Sequence, residues 1–243
     1  MHKEYSRIIN DADTAVLFIH GIIGTPDHFI DFIPLVPENI SVFNMLLDGH
    51  GGTVEDFSHT SMEKWKKQVS DKVDELSLTH SKIIIVAHSM GTLFAIDEAI
   101  KHPDIIERLF LIASPLKVSL KPRMFTSATK IYFNIKDDDE HTSAARRAYG
   151  IDDRKNIFKY AGWLPRYKEL MFEILDIRKR VKDVNVRTQV FQSADDELVS
   201  VKSEKYLSVN EMFEINMLKK SSHFYYDKDD YAFLLDSFRR IFE

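Results

Sequence analysis

The stretch KIIIVAHSMGTLFAIDEA, residues 82–99, joins an unbroken apolar run to a segment with helical periodicity. The run ends at Ala87, and Ser89 follows two residues later. A continuous apolar run is typical of a strand that is buried on both faces of a parallel sheet. Apolar side chains then recur at helical spacing: Leu93, Ile96 and Ile100. The stretch therefore predicts a buried strand that turns abruptly into a helix at Ser89.

The residues on either side of the serine have the small size that such a turn requires. Residues 87–91, AHSMG, match a G-x-S-x-G pattern with alanine at the first small position. A sharp strand-to-helix turn strains the residue at its tip, and the neighbours two before and two after must be small to let strand and helix approach. The five residues alone are equally typical of a serine N-cap, so the strand and the helix around them are what favour a nucleophile.

A serine hydroxyl is a weak nucleophile at neutral pH, so it needs a base, and the base needs an orienting carboxylate. The candidate base is His223, which follows the last predicted strand in KKSSHFYYD. The candidate acid is Asp195 or Asp196, which follow the preceding strand in QSADDELVS. Because ligands bind at the carboxyl edge of open α/β sheets, we expect these groups to lie near Ser89.

Strand-like and helix-like patterns alternate along the chain. A capping-box spacing, Thr60 to Glu63, predicts the start of one helix, and another is predicted from about Asp230. Besides the strand at residues 82–87, strands are predicted at residues 14–20, 40–47, 106–113, 187–193 and 212–218. This alternation predicts an α/β fold, with a mostly parallel central sheet and helices on both of its faces.

Residues 115–186 show no strand pattern. A connection of this length is too long for an ordinary loop, and it predicts an inserted cap or lid followed by a return helix. The α/β core would then consist of residues 1–114 and 187–243. The acidic run Asp137–Glu140 is interpreted as a solvated loop of the cap rather than a metal site. The return helix is expected to bury one apolar face: Leu170, Ile174, Ile177 and Val181.

The composition excludes several classes of protein. The 243 residues include no cysteine, which rules out disulfides, thiolate metal sites and a cysteine nucleophile, and mildly favours a reducing compartment. A net charge of −5 without any Lys/Arg-rich block argues against nucleic acid binding. The polar N-terminus predicts no signal peptide, and no apolar run approaches the ~18 residues of a membrane span. We expect a cytoplasmic protein without stable membrane insertion, and the histidines show no paired metal-ligand spacing.

Several motifs together resemble those of the α/β-hydrolase fold, in particular the carboxylesterase and monoacylglycerol-lipase-like group. The order of Ser89, an aspartate and His223 fits that family's chain order. LFIHGIIGTP, residues 17–26, resembles the family's His-Gly loop, and DGHGGTVEDFSHTSMEKW, residues 48–65, resembles its Gly-His-Gly loop. The resemblance covers nearly the whole chain and is weakest in the predicted cap. The family's first two antiparallel strands look truncated here.

The resemblance also implies roles for individual residues. The family's Gly-x-x-Asp-x-x-Val pattern favours Asp196 over Asp195, because a valine follows Asp196 by three residues, although a serine takes the glycine position. An oxyanion hole would use two backbone N–H groups, one from Met90 after the nucleophile and one, by resemblance, from Ile22. Thr92 stands where lipase-like members often have glycine, a change that could crowd the helix start but leaves the motif intact.

These observations predict a serine carboxylic-ester hydrolase that works through a Ser-His-Asp triad and an acyl-enzyme, without a metal or a cofactor. The expected partner is a small-molecule ester with a small-to-medium acyl or aryl group, monoacylglycerol-like or another short ester, held among apolar cap side chains. A serine nucleophile argues against dehalogenase or epoxide-hydrolase chemistry. A thioesterase, a peptidase, an acyltransferase or a carbon–carbon hydrolase on the same triad stays open, as does a non-catalytic binding protein of the same fold.

Overall fold

The computed structural model describes residues 3–136, 139–151 and 157–243, and within them the strands form one seven-stranded sheet. The strand order is β1-β3-β2-β4-β5-β6-β7, with β1 antiparallel to β3 and the other neighbours parallel. The strands are β1 Tyr5–Arg7, β2 Thr14–Ile19, β3 Ser41–Asn44, β4 Lys82–His88, β5 Ile106–Ile112, β6 Arg187–Ser193 and β7 Phe213–Leu218. The predicted α/β fold with a mostly parallel sheet is confirmed.

The helices cover both faces of this sheet. The α-helices of the described residues are α1 Val54–Ser58, α2 Met62–Ser77, α3 Met90–Lys101, α4 Pro122–Tyr132, α5 Glu140–Ala148, α6 Leu164–Arg180, α7 Glu204–Leu207 and α8 Lys228–Arg239. Short 3-10 helices lie at Pro26–Phe29, Ile33–Leu35, Ile157–Trp163, Val181–Asp183, Val201–Ser203 and Arg240–Phe242. No helix among the described residues is both long enough and apolar enough to cross a bilayer.

The strand β4 shows why its sequence is apolar throughout. Ile83 and Ile85 belong to the core under α2, α3 and α6, whereas Ile84 and Val86 belong to the core under α8. Successive strand side chains point to opposite faces, so a strand covered on both sides needs apolar residues at every position. Each such side chain contributes about 1.5–3 kcal/mol on full burial. Burial on both faces holds β4 firmly in the sheet, and Ser89 directly follows its last residue, so the turn at Ser89 is held in place as well.

The start of α2 differs from the prediction. Its N-cap is Ser61, whose hydroxyl accepts the N–H of Lys64, and not Thr60. Thr60 lies outside the helix because its carbonyl accepts a hydrogen bond from the Arg166 guanidinium. A capping box does form one helix earlier, where Thr53 caps α1 with Asp56 as its partner. The spacing of Thr60 and Glu63 in the sequence gives no information about the contact with Arg166, and so it placed the N-cap one residue too early.

The chain between β5 and β6, residues 113–186, is here called the β5–β6 segment. Its last helix, α6, packs on α3, and an ion pair from Arg180 to the buried Asp97 fastens the two helices. Asp139 and Glu140 are exposed, as a solvated loop requires, but the loop ends there, because Asp139 caps α5 and Glu140 is its first residue. Asp137 and Asp138 lie outside the described residues. The predicted apolar face of the return helix is buried: Leu170, Ile174, Ile177 and Val181. The limits of the cap, 115–186, stay a prediction.

The N-terminal strand β1 was not among the strands located in the sequence. It has three residues, two of them exposed, and therefore carries no periodic signal. It pairs antiparallel with β3, and the Arg7 guanidinium donates to the carbonyls of Val36, Pro37 and Ile40. Contacts to the backbone of a distant loop, rather than local pattern, hold this strand on the sheet.

Candidate active site

Ser89 lies at the turn between β4 and α3, with φ 52° and ψ −123°. A positive φ is uncommon for a non-glycine residue and marks strain that the surroundings must hold. The surroundings are tight: a Cβ on Gly91 would lie 2.4 Å from the carbonyl oxygen of Ile19, and a Cβ on Gly21 would lie 2.8 Å from the Cβ of Ser89. The end of β2 and the turn therefore touch, which explains why small residues occur here.

The same turn distinguishes the two interpretations of the serine pattern. An ordinary N-cap serine has an extended backbone and accepts a hydrogen bond from the first helical turn. The Ser89 side chain makes no such bond within the described chain, and its φ is positive. The Thr92 hydroxyl donates a hydrogen bond to the Ser89 carbonyl at 2.7 Å. Thr92 therefore stabilises the start of α3 rather than crowding it. The geometry is that of a strained turn and not of a cap.

Asp196 and His223 form a buried pair beyond the ends of β6 and β7. The His223 Nδ1 lies 2.8 Å from the Asp196 Oδ2, and both side chains are at most 2% exposed. The other carboxylate oxygen of Asp196 accepts the backbone N–H groups of Leu198 and Val199. Asp195, by contrast, has a side chain that is 51% exposed and does not face the imidazole. Of the two neighbouring aspartates, the structure brings Asp196 to His223.

Glu197 is a second carboxylate beside the histidine. It is buried and accepts the backbone N–H of His223 at 3.2 Å, while Arg123 approaches it to 3.4 Å and also pairs with Asp195. Burial pulls the pKa of His223 down, but the charge and hydrogen bond of Asp196 and the charge of Glu197 outweigh it, so the pKa is raised above its ordinary value. Sequence reasoning did not single out Glu197.

Two further histidines lie beside His223 and were also missed. The His88 ring stacks on His28 at 3.9 Å between centroids, and its Nε2–H donates to the carbonyl of His223 at 3.1 Å. Burial, with the nearby charges of His223 and His20, lowers the pKa of His28 to about 3. Burial and neighbouring charges likewise hold the pKa of His88 well below its usual value. Both rings therefore stay neutral while His223 is the one placed to take up a proton.

The loop after β2 lies against Ser89. Ile23 has φ 53°, and its N–H donates to the Nε2 of His50 at 3.2 Å. Burial and the charge of His20 keep the pKa of His50 well below its ordinary value, so this ring is neutral and able to accept. The N–H groups of Ile22 and Met90 have no acceptor among the described residues, as expected for Met90 at the first position of α3.

No hydrogen bond joins the Ser89 hydroxyl to His223 within the described residues, although His88, the neighbour of Ser89, has its ring 4.8 Å from that of His223. Catalytic hydrogen bonds are often long until substrate binds. The Met90 side chain is fully buried in the core cluster. Among residues 3–136, 139–151 and 157–243, no histidine and acidic side chains cluster as a metal would require.

Comparison with known proteins agrees with this fold. A hydrolase family model described as serine aminopeptidase, S33, matches residues 10–225, so the chain belongs to this family of α/β-hydrolases. A Haemophilus influenzae protein described as a proposed esterase/lipase is 25% identical over 114 residues. That match covers 46% of this chain and 38% of the relative, well under two thirds of the relative's length.

Two solved structures are similar over nearly their whole length. One is of the metagenome-derived lipolytic enzymes LipS and LipT, with a TM-score of 0.72, 17% identity and 97% of both chains covered. The other is a monoacylglycerol lipase from Paleococcus ferrophilus, with a TM-score of 0.70, 17% identity, and 98% of this chain and 99% of the other covered. At this identity the likeness shows the fold alone, and it agrees with the resemblance to lipase-like α/β-hydrolases.

Proposed function

We propose that the protein is a serine carboxylic-ester hydrolase with Ser89 as nucleophile, His223 as general base and Asp196 as the orienting acid. The observation that carries the proposal is the buried pair of Asp196 and His223, 2.8 Å apart. It lies at the same edge of the sheet as Ser89, whose backbone is strained and whose side chain makes no N-cap hydrogen bond within the described chain. A serine of this geometry beside an acid-oriented histidine is the constellation used for acyl transfer.

The proposed chemistry follows from the hydrogen bonds of the pair. The Nδ1–H of His223 donates to Asp196, which leaves Nε2 to take the proton of Ser89 as Oγ attacks the ester carbonyl. The Ile22 and Met90 N–H groups would bind the oxyanion, each worth roughly 3 kcal/mol of barrier. Protonated His223 then gives its proton to the leaving alcohol, and water repeats the sequence on the acyl-enzyme.

The proposed substrate is an ester with a small-to-medium acyl or aryl group. The loop after β2, residues 20–25, is here called the oxyanion loop. Four half-buried side chains of this loop and of the β5–β6 segment pack against the apolar core: Ile22, Ile23, Tyr149 and Tyr160. Such a wall favours apolar over charged acyl groups. The names of the similar proteins, an esterase/lipase, lipolytic enzymes and a monoacylglycerol lipase, support esters as the bond type. A cytoplasmic location belongs to the same proposal and is supported by the absence of cysteine.

A second candidate, peptide-bond hydrolysis on the same triad, is favoured by one observation, the aminopeptidase description of the matching family. An aminopeptidase needs a group that binds a free amine, whereas an esterase does not. Turnover of aminoacyl β-naphthylamides against p-nitrophenyl esters, from acetate to laurate, separates the two candidates. We expect turnover of the esters, peaking at a short or medium chain.

A fluorophosphonate probe tests the nucleophile independently of the substrate. Labelling should disappear in Ser89→Ala and persist in Ser114→Ala, a matched control at the end of the neighbouring strand whose hydroxyl is buried and has no partner among the described residues. Absence of labelling in the native protein would favour a binding protein of this fold. Labelling without turnover of any ester would move the proposal to the amide or thioester chemistry of the same triad.

A further inference from the structure

Helix α5 contacts the loop that carries His223. The Nδ1 of His141, in the first turn of α5, lies 3.0 Å from the Ser222 hydroxyl in a hydrogen bond. The His141 ring also packs on Tyr225, with 4.5 Å between ring centroids. Ser222 and Tyr225 are themselves hydrogen-bonded to each other, the Ser222 N–H to the Tyr225 carbonyl at 2.8 Å. The N-terminal end of α5 therefore rests on a tight turn that includes His223.

The other end of α5 leads directly to the oxyanion loop. The Gly150 N–H donates to the Ile23 carbonyl at 2.9 Å, and the Gly150 carbonyl accepts the N–H of Gly51 at 2.8 Å. A Cβ at Gly150 would lie 2.2 Å from the Cγ2 of Thr25 and 2.8 Å from the carbonyl oxygen of Gly24. The φ of Gly150 lies outside the left-handed region, so close approach rather than backbone conformation is what demands glycine.

The two loops come from distant strands. The loop of Ile23 follows β2 and the loop of His223 follows β7, and three strands lie between β2 and β7 in the sheet. The nine residues of α5 span about 14 Å at 1.5 Å per residue. Four interstrand spacings separate β2 from β7, about 19 Å, so the helix reaches both loops only together with Gly150 beyond its end and with the loops themselves. A rigid helix in contact with both loops can hold the base and the oxyanion donors at a set separation.

We propose that α5 together with Gly150 is a positioning strut, which sets the spacing between the His223 loop and the Ile22–Ile23 loop. This proposal rests on the proposed function, because it assigns those loops to the base and the oxyanion hole. Shifts of about 1 Å between catalytic groups can cost on the order of 100-fold in rate. Neither His141 nor Gly150 touches the reacting atoms in this scheme; both act through the loops that they hold.

The test compares two alanine substitutions of glycines in the β5–β6 segment. Gly150→Ala inserts a methyl group against the oxyanion loop, whereas Gly162→Ala inserts one against α1, 2.5 Å from the Ser58 Oγ and 2.7 Å from its Cβ. Both changes crowd a contact between the segment and the core, so both should lower the melting temperature. We expect kcat on a p-nitrophenyl ester to fall tenfold or more in Gly150→Ala alone, with KM changed less than threefold.

A second readout does not depend on catalysis. Amide hydrogen exchange of residues 20–25 should accelerate in Gly150→Ala and stay near the native rate in Gly162→Ala. Only the Gly150→Ala substitution disturbs the contact between residue 150 and this loop. The acid limb of the pH profile should not move in either variant, since the carboxylates around His223 are untouched. A general loss of stability would instead accelerate exchange in both variants and lower their activity alike.

A double-mutant cycle asks whether one helix links the two ends. Glu140→Ala with His141→Ala removes the hydrogen bond to Ser222 and both side-chain contacts with Tyr225. If α5 is a strut, this variant combined with Gly150→Ala should lose about as much kcat as the worse of the two parent variants, because releasing one end already frees the helix. Losses that multiply would mean two separate contacts and would overturn the strut.

The outcomes separate the strut from the proposed function. An active native enzyme whose Gly150→Ala variant matches Gly162→Ala in kcat and in exchange would contradict the strut and leave the esterase proposal intact. A native protein that hydrolyses no ester would contradict the esterase proposal, while the exchange of residues 20–25 and 222–225 would still decide whether α5 couples the loops. Partial recovery of kcat in Gly150→Ala with Thr25→Ser, which removes the 2.2 Å methyl contact, would support the steric cause.

Discussion

The two halves of the candidate site are held by different forces. On the nucleophile side, Ser89 is fixed by close contact: Gly91 has no room for a Cβ beside the carbonyls of Ile19 and His20. On the acid–base side, His223 is fixed by charge and hydrogen bonding, mainly from Asp196 and with Glu197 at its backbone. The turn at Ser89 is thus held mainly by steric packing, and His223 mainly by electrostatic interactions.

This difference predicts two kinds of sensitivity. The nucleophile side should respond to added volume and vary little with pH, because the atoms that crowd Gly91 are backbone carbonyl atoms. The acid–base side should respond to removal of a charge at nearly constant volume, and its effects should vary with pH.

The largest effect is expected where charge and orientation coincide. Asp196→Asn should lower kcat by about three to four orders of magnitude, because an amide no longer holds the imidazole in the tautomer that can accept the serine proton. The neighbouring Asp195→Asn is the control, since the Asp195 side chain is half exposed and pairs with Lys121 and Arg123. Steady-state kinetics on one ester measures both. A greater loss in Asp195→Asn would transfer the role of acid to that residue.

The second effect is steric and belongs to the nucleophile side. Gly91→Ala should lower the free energy of unfolding by about 3 kcal/mol, the upper range for overpacking, because the obstructing atoms are backbone carbonyls that cannot turn aside. Gly52→Ala is the control: its Cβ would lie 2.6 Å from the Oδ2 of Asp56, an exposed side chain that can turn aside at the cost of the α1 capping box, about 1 kcal/mol. Urea unfolding at two pH values should give the same difference. A strong dependence on pH would undo the proposed contrast.

The third effect concerns acid stability. Native His28, with a pKa of about 3, stays neutral, whereas the unfolded chain binds a proton there below about pH 6.5, so stability is lost as pH falls from 6.5 towards 3. Between pH 7 and 5 this one group accounts for about 2 kcal/mol. In His28→Phe the drop in unfolding free energy over that interval should shrink by this amount. The exposed His59→Asn should show the native drop.

The smallest effect is a shift in a pH profile. Because the charge of Glu197 helps to raise the pKa of His223, Glu197→Gln should move the acid limb of kcat/KM to lower pH. The base must be neutral to act, so the variant would keep activity at slightly more acidic pH. Glu211→Gln, at an exposed position, serves as the control. An acid limb that stays in place would show that Asp196, through its charge and its hydrogen bond, raises the pKa of His223 without help from Glu197.

The fold was predictable where burial left a local pattern. Strand β6, Arg187–Ser193, coincides with its predicted range, and β4 differs by one residue at its end. Three-residue β1 was not found because two of its residues are exposed, and the cap of α2 was placed one residue early because Arg166, more than 100 residues away, holds the Thr60 carbonyl. Errors occurred where distant contacts overrule local preference.

The candidate site divides in the same way. The serine turn was recognisable because strand, small residues and helix are consecutive in the chain. By contrast, Glu197, His88 and Gly150 carry no local mark of their role. Glu197 is one of several acidic residues in its loop. The role of Gly150 depends on its hydrogen bond to the carbonyl of Ile23, which lies more than 120 residues earlier in the chain.

By itself, the sequence determined the parallel sheet and the strained turn at Ser89, because burial on both faces forces an apolar run and a sharp turn forces small neighbours. Only the tertiary structure shows what each of the two adjacent aspartates contacts, and which helix contacts both loops of the site. In the chain, Asp195 and Asp196 are told apart only by the valine that follows Asp196 by three residues. In the folded protein they differ in what lies opposite them, Lys121 and Arg123 for one and the imidazole for the other.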